Sequence, residues 1–300
     1  MKNKIKKVYF LIKNEGIISF IKKAKHSFLS NSEFYRRWIY KKLKKKYAYL
    51  ENQHLEFPEV GKKVPSNKVW VLWFQGLEHA PDLVKKCYQS VHFYLPNKEI
   101  ILLTSENLSQ YIDLPDYIYE KYHKGIISAA HFSDIIRTAC LVKHGGLWLD
   151  ATVLLTSQIP KYYFDNELLF LQNPTNQIIK CSSWFMYSKY DNNKMLSTVF
   201  YILQDYWKYE NKLNHYFMYH IVMSVVFNFK NNAFLLKKMT YLSNIPSHEL
   251  QKILNNKLDY SVYENIISKS MIHKLTYKLP IQILENRDNF YHYLISDKAE

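Results

Sequence analysis

The sequence predicts an α/β protein whose first half alternates strands with helices and whose second half is mainly helical. An apolar run at Val69–Phe74, an amphipathic segment at Ala80–Tyr94 and a second apolar run at Glu99–Leu103 give the order strand, helix, strand. Short apolar runs of this kind are typical of strands buried in a parallel sheet. From about Asn192 onward the hydrophobic spacing is largely helical, which predicts an α-rich C-terminal half.

The same periodicities predict the remaining elements. We expect two short helices, one long helix and four more strands, at Leu108–Tyr111, Tyr117–Tyr122, Ser128–Lys143, Leu147–Asp150, Val153–Leu155, Leu168–Gln172 and Ser183–Ser188. The uncharged run Leu213–Phe229 contains two histidines, His215 and His220, and two asparagines. Because it is too short and too polar to span a membrane, we expect a buried core helix there.

Composition excludes several protein classes. The chain has 300 residues, of which 48% are hydrophobic and 22% charged, so it can bury a large core and is not a disordered segment. Its three cysteines, Cys87, Cys140 and Cys181, are widely spaced and form no CxxC pair. This spacing argues against a disulfide scaffold and against a zinc ribbon, so we expect a reducing, cytoplasmic environment.

Positive charge is concentrated at the N-terminus. The formal net charge is +15, and residues 1–46 contribute +13 of it, with 15 lysines and arginines against Glu15 and Glu33. A nucleic-acid-binding domain carries its charge on the fold itself, so we expect no nucleic-acid partner. We divide the chain into a basic helical extension, residues 1–60, and a main domain, residues 61–300.

The basic extension has one apolar helical face. Its members are separated by lysines and comprise Ile5, Val8, Tyr9, Ile12, Phe20 and Ala24. Such a helix can lie on an anionic membrane, which would make the protein peripheral on the inner face of the cell membrane. The alternative is a solvated helix that packs on the main domain. The apolar run Val8–Ile12 is too short for a cleavable signal.

The residues best suited to binding or catalysis lie in the middle of the chain. Asp134 and Arg137 are three residues apart and therefore share one helix face. Two glycines, Gly145 and Gly146, then allow a tight turn into a strand that ends at Asp150. An acid at a strand end, near an Asp–Arg pair, suits a metal-bound diphosphate and a sugar. The alternative is an intrahelical ion pair with a turn-capping aspartate.

Four spaced motifs resemble one protein family. The first, Trp70–Pro81, is a Trp-rich strand followed by Gln-Gly and Ala-Pro. The second, Ala130–Arg137, starts a helix with Ala-His-Phe-Ser-Asp, and the third, Gly145–Thr152, reads Gly-Gly-x-Trp-x-Asp-Ala-Thr. The fourth, His273–Lys278, is a late basic strand. The middle two resemble the signature of glycosyltransferases that carry a DXD sugar-binding motif. The closer match is to the bacterial capsular polysaccharide synthesis proteins, and it runs from about Val69 to Lys278.

This resemblance implies a GT-A fold with a Rossmann-type domain that binds a nucleotide sugar. It further implies a retaining hexosyl- or N-acetylhexosaminyl-transferase that uses a nucleotide-diphosphate sugar, with a UDP-sugar as the expected donor. A lipid-linked oligosaccharide of a surface polysaccharide is the expected acceptor. In the family pattern Asp134 contacts sugar hydroxyls, Arg137 contacts sugar or phosphate, and Asp150 is the first acid of DXD. The other implied donor-binding residues are Gln75, Gly76, Ser133, Gly145, Gly146, Thr152, His273 and Lys274.

One departure from the pattern concerns the metal. The resemblance implies Mn²⁺ or Mg²⁺, with Asp150 and His273 as ligands, but Thr152 stands at the position of the second acid. A hydroxyl is a weaker ligand than a carboxylate for these ions, which leaves metal dependence open. Lys274 and Lys278 are expected to neutralise phosphate charge.

Other aromatic and histidine residues favour structural roles. Trp70, Trp73 and Trp148 are interpreted as core residues, with contact to the nucleotide base as the alternative for the first two. His220 is interpreted as a core histidine, with an active-site role as the alternative. Two other functions stay open: an enzyme of the same fold acting on a protein or soluble acceptor, and a non-catalytic sugar-nucleotide-binding scaffold, which Thr152 keeps possible.

Overall fold

A computed structural model describes residues 32–51, 63–176 and 178–296 of the chain. Its strands are β1 (Lys68–Leu72), β2 (Glu99–Leu103), β3 (Gly146–Asp150), β4 (Val153–Leu155), β5 (Leu168–Gln172), β6 (Cys181–Ser188) and β7 (Ile272–Lys274). Five of them form a central sheet in the order β2-β1-β3-β6-β5, and β4 pairs with β7 in a separate two-stranded sheet. The α/β prediction is confirmed.

The central sheet is mixed. Strand β1 runs parallel to β2 and β3, whereas β6 runs antiparallel to both β3 and β5. A parallel connection needs a crossover of a dozen or more residues, and the segment between β5 and β6 is too short to provide one. The parallel pairing that the sequence predicts therefore holds for the first three strands and stops at β3.

Helices cover both faces of the sheet. They are α1 (Glu33–Lys46), α2 (Asp82–Tyr94), α3 (Leu108–Tyr111), α4 (Asp116–His123), α5 (Ala129–His144), α6 (Lys161–Phe164), α7 (Lys194–Tyr209), α8 (Met218–Phe227), α9 (Ala233–Lys238), α10 (Glu249–Lys252), α11 (Tyr260–Ile267), α12 (Ile281–Glu285) and α13 (Phe290–Ile295). Short 3₁₀ turns lie at Ala48–Glu51, Lys230–Asn232 and Pro246–His248.

Alternate residues of the strands pack in two separate hydrophobic cores, one on each face of the sheet. In β1, Trp70 and Leu72 pack with helices α5, α7 and α8, whereas Val69 and Val71 pack with α2 on the other face. This follows from the two-residue period of a strand, which sends successive side chains to opposite faces. The continuous apolar run of β1 is thus explained by burial on both faces.

The described part of the N-terminal extension packs on the main fold. Side chains Ile39, Leu43 and Tyr47 of α1 and the following turn are buried in the same core as α7 and α8. The Lys46 ammonium and the Tyr47 hydroxyl both donate to Asp205 Oδ2, each at 2.7 Å. The apolar face predicted at Ile5–Ala24 lies outside the described residues, and the boundary at residues 60 and 61 stays a prediction. Across the ranges described, no helix is both long and apolar enough to cross a bilayer.

Two glycines allow β3 to lie against β1. Gly145 and Gly146 have φ values of 65° and 96°. A Cβ added to Gly146 would come within 2.4 Å of the backbone oxygen of Lys68, and one added to Gly145 within 2.8 Å of Tyr190. Both glycines precede or begin β3, whereas Asp150 ends it. Their role is close backbone packing, because the strand separates them from the site at its other end.

Candidate active site

A cavity of about 710 Å³ opens where β1 and β3 end. Since the two strands are parallel, their carboxyl ends meet at one edge of the sheet, the usual place for a ligand in α/β folds. Residues that follow β1, the last residues of β3, the first turns of α5, residues 213–220 and residues 274–278 surround this cavity. Among them are Trp73, Gln75, Ser133, Asp134, Arg137, Asp150, Thr152, Tyr216, His220, Lys274, Tyr277 and Lys278.

Arg137 is a buried cation between two carboxylates. Its residue is 3% exposed, and its guanidinium donates to Asp134 Oδ1 and, at 2.9 Å, to Asp150 Oδ1. The same guanidinium lies 5.0 Å from the Trp148 ring centroid and 5.5 Å from that of Tyr219. Arg137 therefore fixes the helix carboxylate and the strand-end carboxylate relative to each other.

Asp150 accepts hydrogen bonds on both oxygens. Trp148 Nε1 donates to Oδ1 at 3.0 Å, beside the Arg137 bond, and Lys274 Nζ donates to Oδ2 at 3.0 Å. Burial alone would raise the pKa of Asp150, but Lys274 and Arg137 together hold it well below its usual range. Asp150 is thus ionised at any physiological pH.

Asp134 is ionised for a similar reason. Burial favours its neutral form, but Arg137, aided by His131, lowers its pKa below the usual value. His131 Nδ1 lies 3.5 Å from Asp134 Oδ2. The helix start is fixed by Ser128, whose hydroxyl accepts from the backbone N–H of His131 at 3.3 Å, an N-cap contact. Asp134 therefore points to the cavity from the second turn of a capped helix.

Lys274 reaches the cavity from β7. Its strand pairs antiparallel with β4, and Lys274 lies opposite Val153. The ammonium donates at 2.6 Å to Thr152 Oγ1 as well as to Asp150. The neighbouring His273 is 0% exposed and its Nε2 lies 3.1 Å from Thr156 Oγ1. Because adjacent strand residues face opposite sides, the structure brings Lys274 to the cavity and takes His273 away from it.

The residues present do not fit a divalent ion held by Asp150 and His273. Burial lowers the pKa of His273 to about 4, and its ring does not line the cavity. No group of three or more His, Cys, Asp or Glu side chains suited to a metal forms within residues 32–51, 63–176 and 178–296. Both oxygens of Asp150 are already bonded to cationic or N–H donors.

The three tryptophans singled out in the sequence differ in burial. Trp70 and Trp148 are fully buried, as the sequence suggests, with Trp70 Nε1 donating to the Gly145 carbonyl at 2.8 Å. Trp73 is half-buried and meets Tyr277 edge-on, with ring centroids 5.2 Å apart. Of the three tryptophans, Trp73 is the one that is partly exposed and lines the cavity.

His220 is the residue that sequence reasoning placed differently. The predicted helix at Leu213–Phe229 begins only at Met218, so His220 lies in the first turn of α8 and lines the cavity. Burial lowers the pKa of His220 to about 4, so its ring is neutral at pH 7. Its Nδ1 has no hydrogen-bond partner in the structure. His215, whose Nδ1 accepts from the Phe217 N–H at 2.8 Å, stops the helix from starting earlier.

A comparison with protein-family models identifies the family of this chain. The family model described as "Capsular polysaccharide synthesis protein" matches residues 13–294. The chain belongs to the capsular polysaccharide synthesis protein family. This membership gives it a role in capsular polysaccharide synthesis. A search of curated proteins finds no match.

Two solved structures show a distant likeness. A chain described as PaToxG Glycosyltransferase has a TM-score of 0.39 at 10% identity, over 88% of this chain and 98% of its own length. A chain described as a transferase mutant has a TM-score of 0.36 at 11% identity, over 60% of this chain and 92% of its own length. Neither likeness is close enough to carry an argument about function.

The structure gathers most, but not all, of the residues that the family motifs indicate. Gln75, Ser133, Asp134, Arg137, Asp150, Thr152 and Lys274 all line the cavity. Gly76 lies next to it, in a turn with φ of 72° whose N–H donates to the Trp73 carbonyl at 3.0 Å. Gly145 and Gly146, at the far end of β3, and His273, in the core, do not join them.

Proposed function

We propose that this family member transfers a sugar, with retention, from a nucleotide-diphosphate sugar to a lipid-linked oligosaccharide of a capsular polysaccharide. A UDP-sugar is the proposed donor. The observation that carries the proposal is the charged cluster of Asp134, Arg137, Asp150 and Lys274 at the carboxyl ends of two parallel strands. Paired carboxylates suit sugar hydroxyls, and the cations beside them suit a diphosphate.

The cavity offers a separate place for each part of such a donor. Trp73 presents a ring beside Gln75, which suits a nucleotide base. Lys274 and Lys278, on either side of Tyr277 in the chain, line the cavity and suit the diphosphate. Asp134 and the neutral ring of His220 also line the cavity and suit sugar hydroxyls. We infer that the donor spans the cavity from the β1 end to the α8 end.

A front-face transfer needs no protein nucleophile. The bond between the anomeric carbon and the β-phosphate oxygen breaks, and the acceptor hydroxyl oxygen bonds to the same face of that carbon. The hydroxyl proton passes to the departing phosphate oxygen. Fixed cations that face this oxygen stabilise the charge that develops on it. Asp150 contributes by holding Lys274 in place rather than by attacking the sugar.

Nucleotide release from a panel of nucleotide-diphosphate sugars tests this proposal. We expect slow release from at least one donor with the wild-type chain. Asp134→Asn should reduce that release by at least about 10²-fold, the scale of losing one fixed electrostatic group in an active site. Asp288→Asn, at an exposed aspartate outside the cavity, is the matched control and should leave release unchanged. Release from no donor would instead favour a sugar-nucleotide-binding scaffold.

Exposed aromatic and basic side chains near the cavity support a membrane-bound acceptor. Helix α1 carries exposed Phe34 and Trp38, 79% and 50% accessible, among seven lysines and arginines. Tyr35 links this helix to the cavity rim, because its ring contacts that of His215 at 6.1 Å, next to exposed Tyr216. Basic and aromatic side chains together favour the surface of an anionic bilayer.

Vesicle sedimentation tests the membrane part of the proposal. The full chain should sediment with anionic vesicles, less so as salt rises, and not with neutral ones. Because one face of α1 packs in the main core, the shortened chain should begin at Ser32; a chain that begins at Gly61 would lack α1 and expose that core. Equal binding by the full chain and the shortened chain would show that residues 1–31 are not the anchor.

A further inference from the structure

The ammonium of Lys274 occupies the space between the two side chains of the Asp150-Ala151-Thr152 segment. It lies 3.0 Å from Asp150 Oδ2 and 2.6 Å from Thr152 Oγ1, and its side chain is only 20% exposed. The β4–β7 pairing fixes its backbone opposite Val153. This cation is therefore part of the folded site, held from two sides before any ligand arrives.

A divalent cation at this segment would meet three obstacles. Asp150 Oδ1 already accepts from Arg137 and Trp148, and Oδ2 accepts from Lys274. The Thr152 hydroxyl is a weak ligand that is engaged by the same ammonium. A metal ion within reach of Asp150 would also lie beside that ammonium, and like charges at such a separation repel strongly.

We propose that this chain binds the diphosphate of its donor without a divalent cation, with Lys274 supplying the positive charge at the strand end. The inference rests on the proposed function, since it concerns the same donor. Around the cavity, Arg137, Lys274 and Lys278 face Asp134 and Asp150, so cations outnumber carboxylates by one. A diphosphate brings the negative charge that this excess attracts.

Thr152 has a specific part in this arrangement. An ammonium has three N–H donors, and Lys274 uses one on Asp150 and one on Thr152. The third remains for a phosphate oxygen. A neutral hydroxyl anchors the ammonium without cancelling its charge, whereas an aspartate at position 152 would cancel it and add a carboxylate for a metal. Threonine and Lys274 thus work as a pair in place of a second acid and a metal ion.

Isothermal titration of uridine, guanosine and cytidine diphosphates tests the inference by binding rather than turnover. Each titration is run in EDTA, in Mn²⁺ and in Mg²⁺. The wild-type chain should bind one nucleotide with affinities that agree within about threefold across the three conditions. Lys274→Met should weaken binding in EDTA by about 10- to 100-fold, the loss of one hydrogen bond to a charged group. Lys269→Met, at an exposed lysine just before β7, should bind like the wild type.

Exchange of the pair provides the converse test. In Thr152→Asp/Lys274→Met the segment has two carboxylates and no ammonium, so nucleotide binding should return in Mn²⁺ and stay weak in EDTA. If Lys274→Met melts too low to titrate, Thr152→Val removes one anchor of Lys274 and should weaken binding in EDTA in the same direction.

The outcomes separate the two proposals. Binding to the wild type only in Mn²⁺ or Mg²⁺ overturns the metal-free site and leaves the glycosyltransferase proposal standing. Binding in EDTA that is unaffected by both Lys274→Met and Thr152→Val also overturns it. Binding of no nucleotide under any condition overturns the donor proposal and this inference together.

Discussion

Replacement of Arg137 by methionine is the substitution whose effect the structure defines best. Methionine keeps much of the side-chain length but removes the guanidinium from Asp134 and Asp150. Asp150 keeps the hydrogen bonds from Lys274 and Trp148, so it remains compensated. Asp134, whose side chain is 16% exposed, keeps only the nearby His131 ring. The loss of stability therefore comes mainly from one buried carboxylate, that of Asp134, left without its cation.

The size of this cost follows from the burial of the pair. Removing one partner of a buried ion pair costs about 3–5 kcal/mol, and one stranded carboxylate places Arg137→Met near the lower end, at about 3 kcal/mol. An exposed pair would contribute only about 0.3–0.5 kcal/mol. If the pair were exposed, a loss of activity with a small change in melting temperature would distinguish donor contact from structural pairing. Since the pair is buried, both roles predict a large change in melting temperature, and the pH dependence of stability instead tests whether Arg137 keeps Asp134 ionised.

The pH dependence has a definite sign. In the wild type, Arg137 holds the pKa of Asp134 below its usual value, so the stabilisation from ionised Asp134 is present above the unfolded pKa of about 3.9 and is lost as pH falls through the folded pKa. In Arg137→Met, burial is opposed only by His131 and His220, so the folded pKa of Asp134 rises. The destabilisation should therefore be larger at about pH 7.5 than at about pH 4.5.

Urea unfolding followed by circular dichroism measures this effect. Asp134→Asn/Arg137→Met should be more stable than Arg137→Met alone, because the stranded charge is gone. Arg287→Met, at an exposed arginine, should change the free energy of unfolding by no more than about 0.5 kcal/mol. An equal loss at both pH values, or a double variant less stable than the single one, would refute the assignment of Arg137 as the cation that keeps Asp134 ionised.

Three further predictions concern neighbouring residues. Buried His273 has a pKa of about 4, so lowering the pH from about 7.5 to about 5 should protonate it only in the unfolded state and reduce the free energy of unfolding by about 2 kcal/mol. His273→Gln should therefore lose less stability over this pH range in urea unfolding, and an equal loss would contradict this. Gly146→Ala should lower the melting temperature far more than Gly76→Ala, because only the first adds a Cβ 2.4 Å from a backbone oxygen, and equal shifts would be the contrary result. Trp73→Ala should weaken nucleotide binding in calorimetry by about tenfold or more if the base stacks on this ring, whereas unchanged binding would move the base elsewhere.

Local patterns in the sequence were enough to predict the helices and strands around the site and about half of the site residues. Apolar runs and the Gly-Gly turn predicted β1, β2 and β3, and spacing along α5 placed Asp134 and Arg137 on one face. These features depend on residues close in sequence. Gly145 and Gly146 were grouped with the donor site because they share a motif with Asp150, but a strand separates its two ends in space.

The rest of the site depends on contacts between distant segments. His273 and Lys274 are adjacent in sequence, and only the pairing of β7 with β4 decides which of them faces the cavity. His220 was interpreted as a core residue because an uninterrupted helix was expected at Leu213–Phe229. The helix instead begins at Met218, after the hydrogen bond from the Phe217 N–H to His215 Nδ1. No local sequence pattern predicted this hydrogen bond.

The pairing of Val153 with Lys274 also has a consequence for the order in which the protein is made. The five strands of the central sheet have all been synthesised once Ser188 is added to the chain, long before Lys274 is added. Until then Asp150 has Arg137 as its only cationic partner. The nascent chain can therefore complete its sheet while its cavity still lacks the cation for a diphosphate. A chain that ends before β7 is expected to form the central sheet but not to bind nucleotides. Donor binding would therefore show that synthesis has passed β7.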